Sequence, residues 1–262
     1  MPRSIVLNID SKYRLNYHNT ASSDFSVNLN YPLTKVTSMK LSNIQLPNTW
    51  HNISDKYKNN YIIIDGFKFT LPNGNYDSKT LSNILKPLKD DNGIITFGLL
   101  YTLSVDIHNG QCTINKTNST NLTISLRSPD DNSDIKESLG WLCGFRQASY
   151  NGSSSYTGKS IFNMGAFTYL YMVVDDFNIN SSELIVGNLE SSHITGNILG
   201  IIRINTGNYR IVNTDSYETQ TRKYAKPAGI TKLHIKLMDP DGDIIDLNYM
   251  DFSFSLEFTL KD

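Results

Sequence analysis

The most constraining feature of the sequence is a strict alternation of polar and apolar side chains near its C-terminal end. Apolar residues occupy every even position from Phe252 to Leu260, and Ser, Glu and Thr occupy the odd positions between them. Residues 232–237 show the same period, with apolar side chains at odd positions and basic side chains at even positions. A period of two predicts β-strands that have one buried and one exposed face.

The segment between these two strands carries a strong turn signal. Residues 239–243 read Asp-Pro-Asp-Gly-Asp, in which Pro presets φ and Gly accepts a positive φ. We therefore expect the two strands to form a C-terminal antiparallel hairpin. Because a hairpin cannot bury its own apolar face, a second layer must cover it, and the sequence predicts an antiparallel β-sandwich.

Length and charge exclude several classes of protein. A chain of 262 residues can bury a core without disulfide bonds. Its 24 basic and 25 acidic side chains give a net charge of −1, so we expect no direct nucleic-acid partner and no attraction to an anionic membrane. Since no apolar run approaches about 18 residues, we expect no transmembrane segment. The two cysteines, Cys112 and Cys143, are predicted to be ordinary thiols in a reducing compartment.

Strand signals dominate the rest of the chain. Further strand-like runs occur at 4–9, 25–29, 36–46, 61–65, 67–71, 94–97, 100–107, 111–114, 121–126, 169–174 and 194–204. A change of parity at Ser42-Asn43 predicts a β-bulge, and Asp65-Gly66 predicts a tight hairpin turn. Since strands do not alternate with helices, the sequence predicts an all-β, antiparallel fold.

Two short segments have helical spacing instead. After an N-cap at Asp77 or Ser78, residues 81, 84, 85 and 88 are apolar, and we expect this helix to cover one end of the sandwich. A second helix is predicted at 134–142. Residues 147–159 are rich in Ser and Gly and are predicted to form an exposed loop. Because no change of composition marks a linker, we expect an N-terminal strand and polar arm at 1–23 and a single domain at 24–262.

No group of residues in the sequence predicts catalysis. The five histidines are scattered without metal-ligand spacing, and no Gly-X-Ser-X-Gly nucleophile motif occurs. Asp175 and Asp176 are adjacent on a predicted strand, where neighbouring side chains point to opposite faces, so they need not share a proton. We therefore predict no catalytic residue, no metal ligand and no cofactor, and we expect that the chain is not an enzyme.

Three phrases stand out in the sequence, one within residues 8–50, one at 139–146 and one at 169–177. Together they resemble capsid proteins of nucleocytoplasmic large DNA viruses (giant viruses), specifically their single jelly-roll penton or minor capsid proteins. The first is residues 8–14, Asn-Ile-Asp-Ser-Lys-Tyr-Arg, followed by 24–29 and by 36–50 with its Pro-Asn-Thr-Trp end. The second is Leu-Gly-Trp-Leu-Cys-Gly-Phe-Arg at 139–146, in which Cys143 replaces the usual apolar residue. The third is residues 169–177, which end in Asp-Asp-Phe, and the closing strands are also similar.

The resemblance implies a single jelly roll with one or two short helices in its loops. It also implies a structural capsid protein of the virion, made in the host cytoplasm, which forms a homopentamer at the fivefold vertices and contacts the major capsid protein and possible minor capsid proteins. The residues that carry this family motif have expected structural roles: Asp10, Ser11, Arg14, Phe25, Pro47, Trp50, Gly140, Trp141, Gly144, Phe145, Arg146, Asp175, Asp176 and Phe177.

Several alternatives stay open at the level of the sequence. The polar arm, residues 10–24, is either a connector that becomes ordered on assembly or an ordered loop over the sandwich. The chain could also be a minor capsid or cement protein between capsomers. From a different class, a glycan-binding lectin would use Tyr150, Asn151 and Tyr156 in the predicted loop at 147–159.

Overall fold

The chain divides into two compact units. The structure is a computed structural model, and it describes residues 3–165, 167–178, 185–189, 193–194, 196–213 and 217–262. Unit 1 contains Met1–Trp50 and Phe167–Asp262, and unit 2 is His51–Ala166. Unit 2 is therefore inserted into the sequence of unit 1. The division expected from the sequence, an arm at 1–23 and one jelly-roll domain at 24–262, stays a prediction.

Strands make up most of the regular structure. In chain order they are β1 (Arg3–Asp10), β2 (Asp24–Pro47), β3 (Tyr61–Ile64), β4 (Phe67–Thr70), β5 (Tyr101–Val105), β6 (Gln111–Lys116), β7 (Leu122–Ser125), β8 (Ser149–Ser153), β9 (Ser155–Ile161), β10 (Tyr169–Asp175), β11 (Gly187–Asn188), β12 (His193–Ile194), β13 (Ile198–Arg203), β14 (Ile211–Val212), β15 (Tyr217–Thr219), β16 (Arg222–Met238) and β17 (Ser253–Leu260). The helices are α1 (Ser78–Leu85), α2 (Phe97–Leu100) and α3 (Leu139–Leu142), with 3-10 turns at Ser11–Tyr13, Tyr17–Asn19 and Ile135–Glu137. All the described pairings between strands are antiparallel.

Unit 1 is built on one large sheet. Its strands follow the order β1-β17-β2-β16-β10-β13-β15, and β14 pairs with the end of β2. The alternation read from the sequence is confirmed, because Phe252, Phe254, Leu256 and Phe258 are all buried while the residues between them are partly exposed. β10 is buried on both faces, since Tyr171 and Val173 contact a second apolar cluster with Ile194 and Ile198.

The longest strand, β2, joins both parts of this sheet. Its first residues pair with the end of β16, and its last residues pair with β17. The separate strand-like runs predicted at 25–29 and 36–46 form one continuous strand, in which the register with β16 shifts on both sides of Ile230↔Leu33. The bulge predicted at Ser42-Asn43 is confirmed, because the register with β17 steps from Asn43 to Leu41 and leaves Ser42 unmatched.

The predicted C-terminal hairpin is wrong. β16 and β17 do not pair with each other in the described sheet, because β2 lies between them and is antiparallel to both. The turn at 239–243 forms, with Asp239 N donating to Asp243 O at 2.9 Å, but it closes only a bridge from Met238 to Ile244. The chain then continues through buried Ile245 and Leu247 to the other side of β2.

Unit 2 has its own core between two small sheets. The sheets have the orders β4-β3-β7-β8 and β5-β6-β9, and one buried apolar cluster contains residues from both. The rings of Phe69 and Phe97 meet edge to face with centroids 5.3 Å apart. The Asp65-Gly66 hairpin is confirmed, since β3 and β4 pair up to Ile64↔Phe67 and both turn residues have positive φ.

The helices and loops of unit 2 only partly match the prediction. Helix α1 is confirmed, with Asp77 as N-cap in a capping box with Thr80, and it buries Leu81 and Leu85. The helix predicted at 134–142 is divided at Ser138, whose extended backbone ends the 3-10 turn and whose hydroxyl caps Trp141 N in α3. α2 begins at Phe97 and ends at Leu100, two residues that were predicted to belong to the strands at 94–97 and 100–107. The predicted exposed loop at 147–159 instead forms β8 and β9, because both add to existing sheet edges. The predicted fold class, an all-β antiparallel sandwich of the jelly-roll type with few short helices, is confirmed.

Candidate assembly surface

The first family motif forms a network around one carboxylate, Asp251. The Arg14 guanidinium is nearly buried, with 6% of the side chain exposed, and its Nη1 lies 2.6 Å from Asp251 Oδ1. The same guanidinium donates to the backbone oxygens of Ser11 at 2.9 Å, Thr20 at 3.1 Å and Tyr17 at 3.1 Å. It also lies 4.0 Å from the Tyr17 ring centroid. Arg14 thus connects both ends of the polar arm to Asp251, which lies two positions before β17.

Two more motif residues complete this network. Ser11 is fully buried, donates its hydroxyl to Asp251 Oδ1 at 2.8 Å and accepts from Phe252 N at 3.0 Å. Asp10 caps the following 3-10 turn by accepting from Lys12 N at 3.0 Å. Of the two alternatives for the polar arm, the ordered loop is therefore what the structure shows.

A groove of about 590 Å³ lies beside this network in unit 1. It is lined at its base by the ends of β1, β2 and β17, including Asp10, Pro47 and Ser253. Its remaining lining residues are Lys12, Gln45, Thr49, Tyr209, Arg210, Ile211, Met250, Asp251 and Phe252. The groove therefore brings motif residues together with a segment, 209–211, that the sequence analysis did not single out.

The rim of the groove exposes large apolar side chains. Tyr209 is 71% exposed, Ile211 is 55% exposed and Met250 is 47% exposed. Tyr249, next to Met250 in the chain, is 99% exposed. We call Tyr209, Ile211, Tyr249 and Met250 the apolar rim. Large apolar groups grouped on a surface and bordered by charged residues are typical of protein contact sites.

The two tyrosines of the apolar rim are held in costly backbone conformations. Tyr209 has φ of 62° and Tyr249 has φ of 63°, values that non-glycine residues rarely adopt. Backbone hydrogen bonds fix the first, since Tyr209 N donates to Asn48 O at 2.7 Å and Asn48 N donates to Arg210 O at 2.8 Å. Asn248 fixes the second by donating its side-chain amide to Thr49 O. The Pro-Asn-Thr-Trp phrase thus positions both exposed rings.

Two other motif residues in the segment 24–50, Phe25 and Trp50, are buried. The Phe25 ring meets the Phe252 ring edge to face, with centroids 6.2 Å apart. Trp50 is buried at the end of the unit 1 segment. Both side chains therefore pack in the interior of unit 1, and their role as family-motif residues stays a prediction.

The second motif supports the core of unit 2. Gly140 lies so close to Leu126 that a Cβ atom at this position would be 2.5 Å from Leu126 Cγ. Phe145 is fully buried in the core cluster. The Arg146 guanidinium stacks on the half-buried Trp141 ring at 4.0 Å and donates to Trp141 O at 2.8 Å. These residues form a structural turn rather than part of the groove.

Gly144 has the most restricted backbone position of this turn. Its φ is +94°, and a Cβ atom there would lie 2.2 Å from Ser160 O. The amide of Ser160 donates to Gly144 O at 3.1 Å. Only glycine satisfies both the left-handed conformation and the close approach of β9.

The third motif ends at a buried ion pair. Asp176 Oδ2 lies 3.1 Å from Arg222 Nη1, and both side chains are almost fully buried. The Tyr224 hydroxyl donates to the same oxygen, and its burial together with this bond raises the pKa of Tyr224 above its usual value. The Asp175 carboxylate instead accepts a hydrogen bond from Phe177 N at 2.8 Å. The Phe177 side chain is exposed, and Lys232 Nζ lies 5.2 Å from the centroid of its ring. As expected, the two adjacent carboxylates do not share a site.

The tyrosines proposed for glycan binding have other partners. Tyr150 OH accepts from the backbone amides of Arg146 at 2.9 Å and Gln147 at 3.1 Å. Its ring packs between Phe145 and Tyr156, with centroids 5.3 Å from each. Tyr156 OH accepts from Ser153 N at 2.8 Å. Both hydroxyl groups therefore have partners within residues 146–156, whereas Asn151 is exposed.

The described part of the chain contains neither a metal-binding cluster nor a membrane-spanning helix. There, no three His, Cys, Asp or Glu side chains lie together in a way that could hold a metal ion. Within the same ranges, no helix is long and apolar enough to cross a membrane.

Comparison with known proteins finds similarity to solved structures but not to a protein family. No family model matches the chain, and no curated protein matches it. A solved structure of the mavirus penton protein is similar, with a TM-score of 0.48 and 11% sequence identity over 98% of this chain and 99% of that chain. A similarity of this size does not by itself establish membership of a family.

Proposed function

We propose that the chain is a structural capsid protein of a large DNA virus and that it serves as the penton protein at the icosahedral vertices. Three motif phrases that occur in the family's order support this proposal. In the proposed role, five copies form a closed ring in the virion and contact the major capsid protein. The chain would be made in the host cytoplasm and would carry out no catalysis.

The observation that carries the proposal is the apolar rim. A ring of identical subunits needs a heterologous contact, in which one patch meets a different patch on the neighbouring copy. Because the net charge is only −1, long-range electrostatic attraction between copies does not drive this contact. Apolar and aromatic groups must therefore provide its binding energy. Tyr209, Ile211 and Met250 provide such groups on side chains whose backbone is already fixed.

Quantification of the chain in purified virus particles tests the proposed role. We expect a fixed ratio to the major capsid protein that corresponds to five copies for each vertex. A fixed ratio far above this value would instead support the minor capsid alternative. Absence from particles, together with binding of the free chain on a glycan array, would contradict the capsid proposal and support a lectin.

A further inference from the structure

The two cysteines of the chain lie 31 positions apart in the sequence and meet in the core of unit 2. Cys112 is in β6 and Cys143 follows α3, and both belong to the same buried apolar cluster. Neither side chain is exposed, and both are free thiols. A pair of thiols in one core is chemically different from two isolated ones, because either sulfur can attack the other when it is oxidised.

The pairing of β6 with β9 brings the two residues to one place. The register runs from Gln111↔Ile161 to Thr113↔Thr157, so a bulge at residues 158–160 lies opposite Cys112. The backbone of Cys143 packs on the same bulge, since a Cβ atom at Gly158 would lie 2.9 Å from Cys143 O. Ser160 N also donates to Gly144 O at 3.1 Å. Both cysteines therefore border the same three residues of β9.

The surroundings of the Cys143 thiol keep it in its neutral form. The neighbouring Cys112 thiol and burial raise the pKa of Cys143 well above its usual value. The neutral pair is therefore stable under reducing conditions, and the reaction of either thiol with an oxidant requires transient opening of the core.

We propose that Cys112 and Cys143 form a disulfide bond when the chain meets hydrogen peroxide. One thiol is first oxidised to a sulfenic acid, with one oxygen of the peroxide transferred to sulfur and the other released as water. The second sulfur then displaces the hydroxyl group, so that the S–S bond forms, the S–O bond breaks and a second water leaves. In total the two thiols lose two protons and two electrons, and one peroxide is reduced to two waters.

The bond would connect the end of α3 to β6 across a closed loop of about 30 residues. This link would constrain the unfolded state of unit 2 and stabilise the folded chain. Its biological consequence rests on the proposed function: a capsid protein assembled in the reducing cell interior would gain a covalent link after release. The chemical proposal itself does not depend on the capsid role.

Incubation of the purified full chain with hydrogen peroxide tests this proposal. We expect the reactive thiol count to fall from two to zero, with one peptide pair that joins Cys112 to Cys143 in a non-reducing digest. The oxidised chain should melt about 5–10 °C above the reduced chain, and dithiothreitol should reverse the shift. The exposed Met250 provides an internal control, because its sulfoxide shows that the oxidant was active.

Two variants act as matched controls. In Cys112→Ala and Cys143→Ala chains the remaining thiol has no partner, so no intramolecular bond and no reversible melting shift should occur. If either variant fails to fold, the wild-type chain oxidised in urea provides the comparison. The proposal is overturned if Met250 is oxidised while both thiols stay free, if each sulfur proceeds separately to sulfinic acid, or if the bond forms only in urea.

Discussion

At the scale of single residues, Asp251 explains why the first family motif contains Ser and Arg. One carboxylate accepts hydrogen bonds from Ser11, Arg14 and Tyr17, so a nearly buried guanidinium has a charged partner and several backbone acceptors. A buried ion pair that loses one partner leaves an uncompensated charge, which costs far more than the loss of an exposed pair. Ser11 and Arg14 of the motif therefore hold the arm in an ordered conformation through Asp251.

We expect Arg14→Met to lower the free energy of unfolding by about 2–4 kcal/mol, because Asp251 would be left without its cation. Urea denaturation measures this loss. The matched control is Lys40→Met, which removes an ion pair of 3.0 Å to Glu257 whose partners are both substantially exposed. The control should lose less than about 1 kcal/mol. Equal losses in the two variants would show that the Asp251 network does not stabilise the arm.

The buried carboxylate of Asp239 gives a dependence of stability on pH. Burial, with the nearby carboxylates of Asp243 and Asp241, raises the pKa of Asp239 to about 6, although two backbone amides donate to its Oδ1. With this raised pKa, the folded state binds the proton of Asp239 more tightly than the unfolded state does. The contribution of Asp239 to the free energy of unfolding is therefore greatest below about pH 4, and it is lost as the pH rises through 6.

Substitution of Asp239 by Asn should remove this contribution, since the amide oxygen still accepts both backbone bonds but carries no charge. Between pH 5 and pH 7.5, we expect the wild type to lose about 1–1.5 kcal/mol relative to Asp239→Asn. Urea unfolding at the two pH values measures the difference. Asp130→Asn, at an exposed site, is the control and should follow the wild type. A wild-type profile parallel to that of Asp239→Asn would contradict the assignment.

At the scale of elements, turns and local periodicity were predictable and long-range pairing was not. The Asp65-Gly66 hairpin, the bulge at Ser42 and the capping box of α1 each follow from a few adjacent residues. The pairing of β17 with β2 involves residues about 210 positions apart, and alternation gives the buried face of a strand without naming its neighbour. For this reason the prediction of a C-terminal hairpin was wrong.

The candidate site was also only partly predictable from the sequence. The motif residues Asp10, Ser11, Arg14 and Pro47 were singled out, and the structure places all four at or beside the groove. The apolar rim was missed, because Tyr209 and Tyr249 lie in segments without periodicity. The signal that could have found them is a large aromatic residue within a polar loop, which is weak in a chain with 15 tyrosines.

The turn between α3 and β9 gives a prediction at the same scale. Gly144→Ala should destabilise the chain by at least about 3 kcal/mol, because the new Cβ atom would meet Ser160 O in a left-handed conformation. Thermal or urea unfolding measures the loss. Gly152→Ala is the matched control in the same unit, with φ of +90° and open space around the Cβ position. It should cost only about 1 kcal/mol. Similar losses would mean that φ alone, and not the close approach of β9, restricts residue 144.

At the scale of the whole molecule, the residues that hold the fold differ from those exposed on the apolar rim. In unit 1, Arg14 binds Asp251 and Arg222 binds Asp176, whereas the side chains of the apolar rim are exposed. In the proposed role, stability of the fold and contact between copies are therefore separate tasks of different residues. Variants of the rim should change assembly without changing the melting temperature.

The double variant Tyr209→Ser, Ile211→Ser tests this separation. We expect its incorporation into particles to fall at least tenfold, while its melting temperature stays within about 2 °C of the wild type, because both side chains are exposed. The matched control is Ile107→Ser, which removes an apolar side chain that is 91% exposed in unit 2. Normal incorporation of the double variant, or an equal loss in the control, would remove the groove from the assembly account.

Localisation of the chain in the particle tests the central claim most directly. A small tag domain inserted in the exposed turn near Ile107, between β5 and β6, would mark unit 2 in an electron cryomicroscopy map of intact particles. The account predicts additional density at every fivefold vertex, with five copies around the axis. Density that lies only between capsomers away from the vertices, or no additional density on particles that assemble normally, would contradict it.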